Sequence, residues 1–283
     1  MDPLDVREAI GRIKGLPTLP SVLGKIFATV ADPDASALDL GNHITADQSL
    51  SAALLKLVNS AYYGFFRQID SVTTAIVMLG FVEVRNLVLA ASTFRALSSP
   101  LSKFDRMQLW RHSLATAMAS ERCAKVLGMG LDDAFVCGLL HDIGKVVLDV
   151  LFPERFEVAA ENASTGAKFL RDAELEVFGM DHGKVGGILG EHWNLPTSLV
   201  DAIRYHHTPE ASKDYPAKAD LTALANFIAH QAGVGKSGNG CDPVVPEEAM
   251  ARLGASEVQW QTIRDELQES DDRIGEILGA LVR

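Results

Sequence analysis

The sequence is poor in aromatic residues, which make up only 7% of its 283 positions. β-Rich domains draw heavily on aromatic and β-branched side chains, and no alternating polar–apolar stretch of useful length occurs here. Cysteine is scarce as well. Cys123, Cys137 and Cys241 are odd in number and form no C-x-x-C pair, which argues against a disulfide framework or a zinc ribbon and fits a reducing compartment. No apolar run approaches the roughly 20 residues that span a bilayer. The opening Met1-Asp2-Pro3-Leu4-Asp5 is charged where a secretory signal would be apolar. A cytoplasmic protein with no membrane partner is therefore expected. Basic residues are also in deficit: 26 Lys and Arg face 37 Asp and Glu, for a net charge of −11. A broad electrostatic grip on nucleic acid needs the opposite sign, so no nucleic-acid partner is expected.

What is abundant points to helix. Hydrophobic residues make up 47% of the chain, ample for a buried core, and Ala and Leu, both strong helix formers, are frequent among them. Asp47 is placed to cap a helix in which Leu50, Ala53, Leu54, Leu57, Val58 and Ala61 form one apolar stripe. Ser36 closes a loop-and-cap segment ahead of a helix at 37–45. Further helices are expected at 4–14, from Pro20 to about Val30, at 72–79 and at 82–97, the last two broken at Gly80. Ser98-Ser99-Pro100-Leu101-Ser102 reads as a linker. It divides an N-terminal helical block, 1–100, from a block at 101–283 that carries seven of the eight histidines. There the pattern predicts helices near 106–127, 132–141, 144–151, 154–163, 168–178, 182–192, 197–206, 217–232, 247–252 and 256–281. Gly233 to Gly240 reads as a surface loop without Walker spacing. Tyr62, Tyr63, Phe65 and Phe66 around Gly64 read as a core cluster.

The sharpest local signal is Gly138-Leu139-Leu140-His141-Asp142-Ile143-Gly144-Lys145. It sets an imidazole and a carboxylate side by side, with Gly144 read as allowing a turn and Lys145 as able to meet an anionic oxygen. Imidazole with carboxylate suits Fe, Mn or Zn. More ligand candidates surround the pair: His112 on a long helix, His182 beside Asp181, and His206-His207 before Pro209. Adjacent helical residues diverge by about 100°, so these groups share a site only where several helices converge. His43 and His230 read as ordinary helix residues, and His192 as structural or exposed.

Together these segments resemble the HDOD family, the output-domain relatives of HD and HD-GYP metal phosphohydrolases. Leu16-Pro17-Thr18-Leu19-Pro20, Ile44-Thr45-Ala46-Asp47, Leu57-Val58-Asn59-Ser60-Ala61-Tyr62, Trp193-Asn194-Leu195-Pro196 and His206-His207 carry the likeness over about residues 10–232. The resemblance implies an all-α fold, an HD-like helical bundle with an additional N-terminal helical block. It also implies metal ligands at His112, His141, Asp142, His182, His206 and His207, and a phosphate contact for Lys145. The chain departs from active HD-GYP enzymes in three places. No Gly-Tyr-Pro follows His207, Asn226 stands where those enzymes carry aspartate, and Gln108 stands where a glutamate ligand can occur. Asn226 is at most a weak ligand.

Two functions follow from this reading. One is a signal-transduction or regulatory protein that retains one or two divalent ions, Fe or Mn before Zn, without cyclic-dinucleotide hydrolysis and with other signalling proteins as partners. The other is a metal-dependent phosphohydrolase on a small nucleotide or phosphodiester, in which Asp142 and Lys145 would be catalytic. A small phosphorylated ligand held at the metal without turnover is a third form of the same site.

Overall fold

The computed structural model describes residues 36–59, 63–96 and 104–281, together with Glu8, Gly24 and Lys25. The helices expected at 4–14 and from Pro20 to Val30, the Leu16–Ser21 turn and the 98–102 linker lie outside the described residues. Within them every regular element is helical, and no strand occurs. The chain divides into two compact units.

The smaller unit contains α1 (Ala37–Thr45), α2 (Gln48–Val58), α3 (Val72–Leu79), α4 (Phe81–Ala96) and α15 (Asp271–Leu281). Local chemistry starts its helices where the sequence suggested. Ser36 and Asp39 form a reciprocal capping box on α1. Asp47 accepts from the Leu50 amide at 3.0 Å at the start of α2. Gly80, at φ +87°, separates α3 from α4. Leu50, Leu54, Leu57 and Val58 are buried along α2, each removing apolar surface worth about 1.5–3 kcal/mol. Asn59 then ties the chain that follows: its side chain donates to the carbonyls of Leu55 at 2.8 Å and Ile69 at 2.7 Å and accepts from the Ile69 amide at 2.7 Å. Of the aromatic cluster, Tyr62 lies outside the described residues and the other three are not fully internal. Tyr63 and Phe65 stack with ring centroids 6.2 Å apart, but Phe66 is fully exposed and does not join the core expected of it.

The larger unit contains α5 (Arg106–Val126), α6 (Ala134–Leu140), α7 (Ile143–Leu151), α8 (Pro153–Thr165), α9 (Leu170–Phe178), α10 (His182–His192), α11 (Thr197–Tyr205), α12 (Pro216–Ala232), α13 (Glu247–Leu253) and α14 (Glu257–Glu269). The long α5 and α12 lie against each other and both touch α6. Helix α7 packs on α10, and α10 on α11. Small residues set these close contacts. A Cβ on Gly138 would fall 2.5 Å from the Thr116 carbonyl oxygen, so α6 approaches the α5 backbone at that point.

The single helix expected over 256–281 is two. The polar run Glu269-Ser270-Asp271-Asp272 favours a cap over a helix interior, and Asp271 and Asp272 begin the next first turn, where acids suit the helix dipole. Trp260, Ile263 and Leu267 of α14 are buried, and α14 packs on α5 and α12. Ile274, Ile277 and Leu278 of α15 are buried, and α15 packs on α2 and α4. The last helix thus groups with the smaller unit, not with the block 101–283 to which its sequence position attached it.

Candidate metal centre

Five helix ends and faces of the larger unit converge on one buried cluster. His141 and Asp142 lie between α6 and α7, His182 opens α10, and His206 and His207 follow α11. His112 sits on α5 and Asn226 on α12. One ligand atom each from Asp142, His182, His206 and His207 falls within a mutual 4.8 Å. His112, His141 and Asp142 form a second such group. The structure therefore brings together all six residues singled out in the sequence.

The backbone aims two of the imidazoles. The last carbonyls of a helix lack intrahelical partners. His141 Nδ1 donates to the Gly138 carbonyl at 2.7 Å, and His206 Nδ1 donates to the Ile203 carbonyl at 2.7 Å, each three residues back. A carbonyl only accepts, so Nδ1 carries the hydrogen and Nε2 offers its lone pair to the cavity. His182 is aimed differently. Its Nδ1 donates to Glu174 Oε2 at 2.6 Å, and the same oxygen takes the His182 amide at 2.8 Å. Glu174 is wholly buried on α9 and was not singled out in the sequence. A carboxylate behind an imidazole fixes its tautomer and raises its basicity, as in carboxylate–histidine–metal arrangements. Glu174→Gln is therefore expected to weaken Mn2+ binding about 10- to 100-fold. Isothermal titration against wild type checks this, and unchanged affinity would remove Glu174 from the site.

The inward atoms are short of hydrogens. His182 Nε2 lies 3.1 Å from Asp142 Oδ1 and 2.8 Å from His207 Nε2. His206 Nε2 lies 3.8 Å from the same carboxylate oxygen. His141 Nε2, His206 Nε2 and Asp142 Oδ1 are buried without a hydrogen-bond partner. Buried polar atoms are seldom left unpaired. One proton can satisfy a single pair here, whereas a cation beside Asp142 Oδ1 satisfies the lone pairs of His182, His206 and His207 together. Three neutral nitrogens and a carboxylate oxygen are a common donor set for a divalent transition metal, so the residues fit an ion.

Electrostatics agree with the geometry. Burial would raise the Asp142 carboxyl, but the neighbouring His141 and Lys145 hold it well below the usual carboxylate range. Burial and the neighbouring imidazoles push His206 well below its ordinary value, so it is neutral and ready to ligate. His182 runs the other way. Burial opposes its charge, yet Glu174 outweighs it and raises the imidazole to about 9; without a metal, this ring holds the proton that an ion would displace.

Four sequence readings change. Gly144 does not make a turn. It lies within α7, and a Cβ there would fall 1.9 Å from the His182 carbonyl oxygen, so its role is the close approach of α7 to α10. Lys145 does meet an anionic oxygen, but the protein's own: its Nζ donates to Asp142 Oδ2 at 2.6 Å and to the Ser237 carbonyl at 2.9 Å, with the side chain buried. The 233–240 segment is not a surface loop, since Ser237 is only 2% exposed and reaches the centre. His230 is more than a helix residue. Its ring centroid lies 4.4 Å from that of His112, and burial with nearby Lys145 lowers it to about 4. Asn226 Oδ1 lies 2.9 Å from His112 Nε2. The side chain of Gln108 lines a different cavity, beside Phe104 and Asp149. His192 is exposed, and His43 lies on α1 of the other unit.

A cavity of about 520 Å³ opens beside the centre, walled by His206, His207, Asn226, His230, Arg171 and Arg252 among others.

Comparison with known proteins agrees with this architecture. The chain is similar to an uncharacterized protein of Treponema pallidum (strain Nichols), 32% identical over 223 residues that make up 76% of this chain and 42% of that one. It spans less than half the length of the curated relatives it matches. A candidate signal transduction protein from Marinobacter aquaeolei VT8 superposes with a TM-score of 0.86 at 25% identity, over 99% of this chain and 66% of that one. An HDOD domain protein of unknown function from Geobacter sulfurreducens superposes with a TM-score of 0.80 at 28% identity, over 99% and 96%. The HDOD domain model matches residues 16–209, from ahead of α1 to just past the His206-His207 pair, and with these helices and this histidine cluster the chain belongs to the HDOD domain family.

Proposed function

We propose that this protein is a cytoplasmic signalling module that binds a divalent ion, Fe or Mn before Zn, and does not hydrolyse cyclic dinucleotides. The observation that carries the metal half is the convergence of Asp142, His182, His206 and His207, one ligand atom each within a mutual 4.8 Å, with His206 Nε2 and Asp142 Oδ1 buried and unpartnered. Against hydrolysis stand the neutral Asn226 in the aspartate position and Lys145, whose amine is spent inside the protein. A phosphoester in the cavity would find Arg171 on its wall but not Lys145. The likeness to a candidate signal transduction protein supports a regulatory role, with other signalling proteins as partners. No described helix is long and apolar enough to cross a membrane, and the three cysteines are free, in keeping with a reducing cytoplasm.

A bound ion would supply Lewis acidity and a lowered pKa for coordinated water. The chain's own residues would hold it through His182, His206, His207 and Asp142. Glu174 would fix the His182 ring, and the α6 and α11 carbonyls would fix His141 and His206.

The 520 Å³ cavity against His206 and His207 favours a second reading, a phosphohydrolase on a small phosphorylated ligand. One assay separates the two. Metal content is measured on protein purified without added metal, and turnover of a generic phosphodiester and of cyclic dinucleotides is then followed with Mn2+ or Fe2+. Bound metal without turnover is expected. Turnover that disappears in His141→Ala would overturn the non-catalytic reading.

A further inference from the structure

The centre has two halves that share Asp142, and they are not equivalent. Oδ1 faces His182 and His206, at 3.1 and 3.8 Å. Oδ2 faces His141 and His112, at 3.3 and 3.9 Å. A carboxylate disposed this way can bridge two ions, one on each oxygen. In this chain Oδ2 already carries the Lys145 ammonium at 2.6 Å.

Lys145 is held there by the segment after α12. Gly235, at φ +72°, lies so close to α5 that a Cβ would fall 2.3 Å from the His112 amide nitrogen. The Lys236 amide donates to the Gln108 carbonyl at 3.0 Å, and the Gly240 amide donates to the Lys168 carbonyl at 3.0 Å. Asn239 Oδ1 accepts from the Leu170 amide at 3.0 Å. Pinned at both ends, this strap presents the Ser237 carbonyl to Lys145 Nζ at 2.9 Å. The strap lies beyond residues 16–209, the span matched by the family, so this part of the centre is supplied from outside it.

We infer that the strap and Lys145 make the centre mononuclear. Lys145 is a built-in cation in the place of a second ion, and only the half formed by His182, His206, His207 and Asp142 Oδ1 takes metal. An ion on Oδ2 would bond it at about 2.2 Å and so lie within about 5 Å of the ammonium, in a buried site where like charges repel strongly. His112 supports the same reading. Asn226 Oδ1 accepts only, so the His112 Nε2 that it faces at 2.9 Å carries a hydrogen and has no lone pair for a metal.

This rests on the metal-binding reading above, and ion counting distinguishes the two. The full chain is loaded with Mn2+, desalted and measured by elemental analysis and electron paramagnetic resonance. One equivalent with an uncoupled single-ion spectrum is expected. Two equivalents with an exchange-coupled spectrum would overturn the mononuclear centre while leaving metal binding intact, and none would overturn both. Lys145→Met is expected to raise the count from one towards two, whereas Lys145→Arg, which keeps the charge, should stay at one. A folded Lys145→Met protein that still binds one ion would remove the lysine from this role. Should that variant fail to fold, the wild-type spectrum still decides the number of ions.

Discussion

Asp142→Ala is expected to abolish ion binding and to cost about 3–5 kcal/mol of stability, because it strands the buried Lys145 ammonium. That amine has two partners, Asp142 Oδ2 and the Ser237 carbonyl, and the substitution leaves it with the neutral one. It also removes the carboxylate oxygens that face the imidazoles, so the imidazoles lose the charge that would attract a cation. The loss corresponds to a fall in Tm of roughly 6–20 °C for a protein of this size, read by thermal denaturation in chelator so that bound metal does not contribute. A double substitution refines the measurement. Removing both members of a buried ion pair is often close to neutral, so Asp142→Ala with Lys145→Met should recover much of the lost stability while remaining unable to bind metal. A double variant as unstable as the single one would show that the cost lies elsewhere.

Gly144→Ala should be nearly as damaging, although it adds only a methyl group. The new Cβ would fall 1.9 Å from the His182 carbonyl oxygen, 2.7 Å from the Gly186 amide nitrogen and 2.8 Å from the His182 carbonyl carbon. All three are backbone atoms, so no side-chain rotation relieves the clash, and α7 must move away from α10. Overpacking of a core usually costs 1–3 kcal/mol; a cost of about 3 kcal/mol or more is expected here. The same displacement separates Asp142, just ahead of α7, from His182 at the start of α10, so affinity for Mn2+ should fall with stability. Gly279→Ala is the matching control. Its Cβ meets nothing within 4 Å on α15, and exchanging glycine for alanine inside a helix gains about 0.5–1 kcal/mol. Equal effects of the two substitutions in thermal denaturation and metal titration would contradict the close-approach role of Gly144.

The helices were legible because their signals are local. The capping side chains of Ser36 and Asp47, the break at Gly80 and the apolar stripe of α2 each act within a turn or two of themselves. The six candidate ligands were legible for a different reason: residue type alone did not decide them, since Asp and His at helix ends also serve as caps, but His112, His141-Asp142, His182 and His206-His207 stand in the order that resembles the HDOD and HD-GYP pattern. The supporting residues were harder to find. Glu174 left a trace, since it lies four residues from both Leu170 and Phe178 on the buried stripe of α9, where a charge needs a partner. His230 lies four residues after Asn226 and so shares its helix face. Ser237 left none: its carbonyl meets Lys145 across 92 residues of sequence, and a main-chain acceptor has no residue type to betray it. Gly144 was misread because glycine serves both turns and close helix contacts, and only the neighbouring backbone of α10 distinguishes the two.

Anomalous diffraction from crystals of the full chain grown with Mn2+ and recorded at the manganese edge examines the metal site most directly. A single strong peak is expected within about 2.0–2.2 Å of Nε2 of His182, His206 and His207 and of Asp142 Oδ1. An empty map at full Mn2+ occupancy elsewhere in the crystal, with those nitrogens hydrogen-bonded to water instead, would mean that the histidine cluster is not a metal centre.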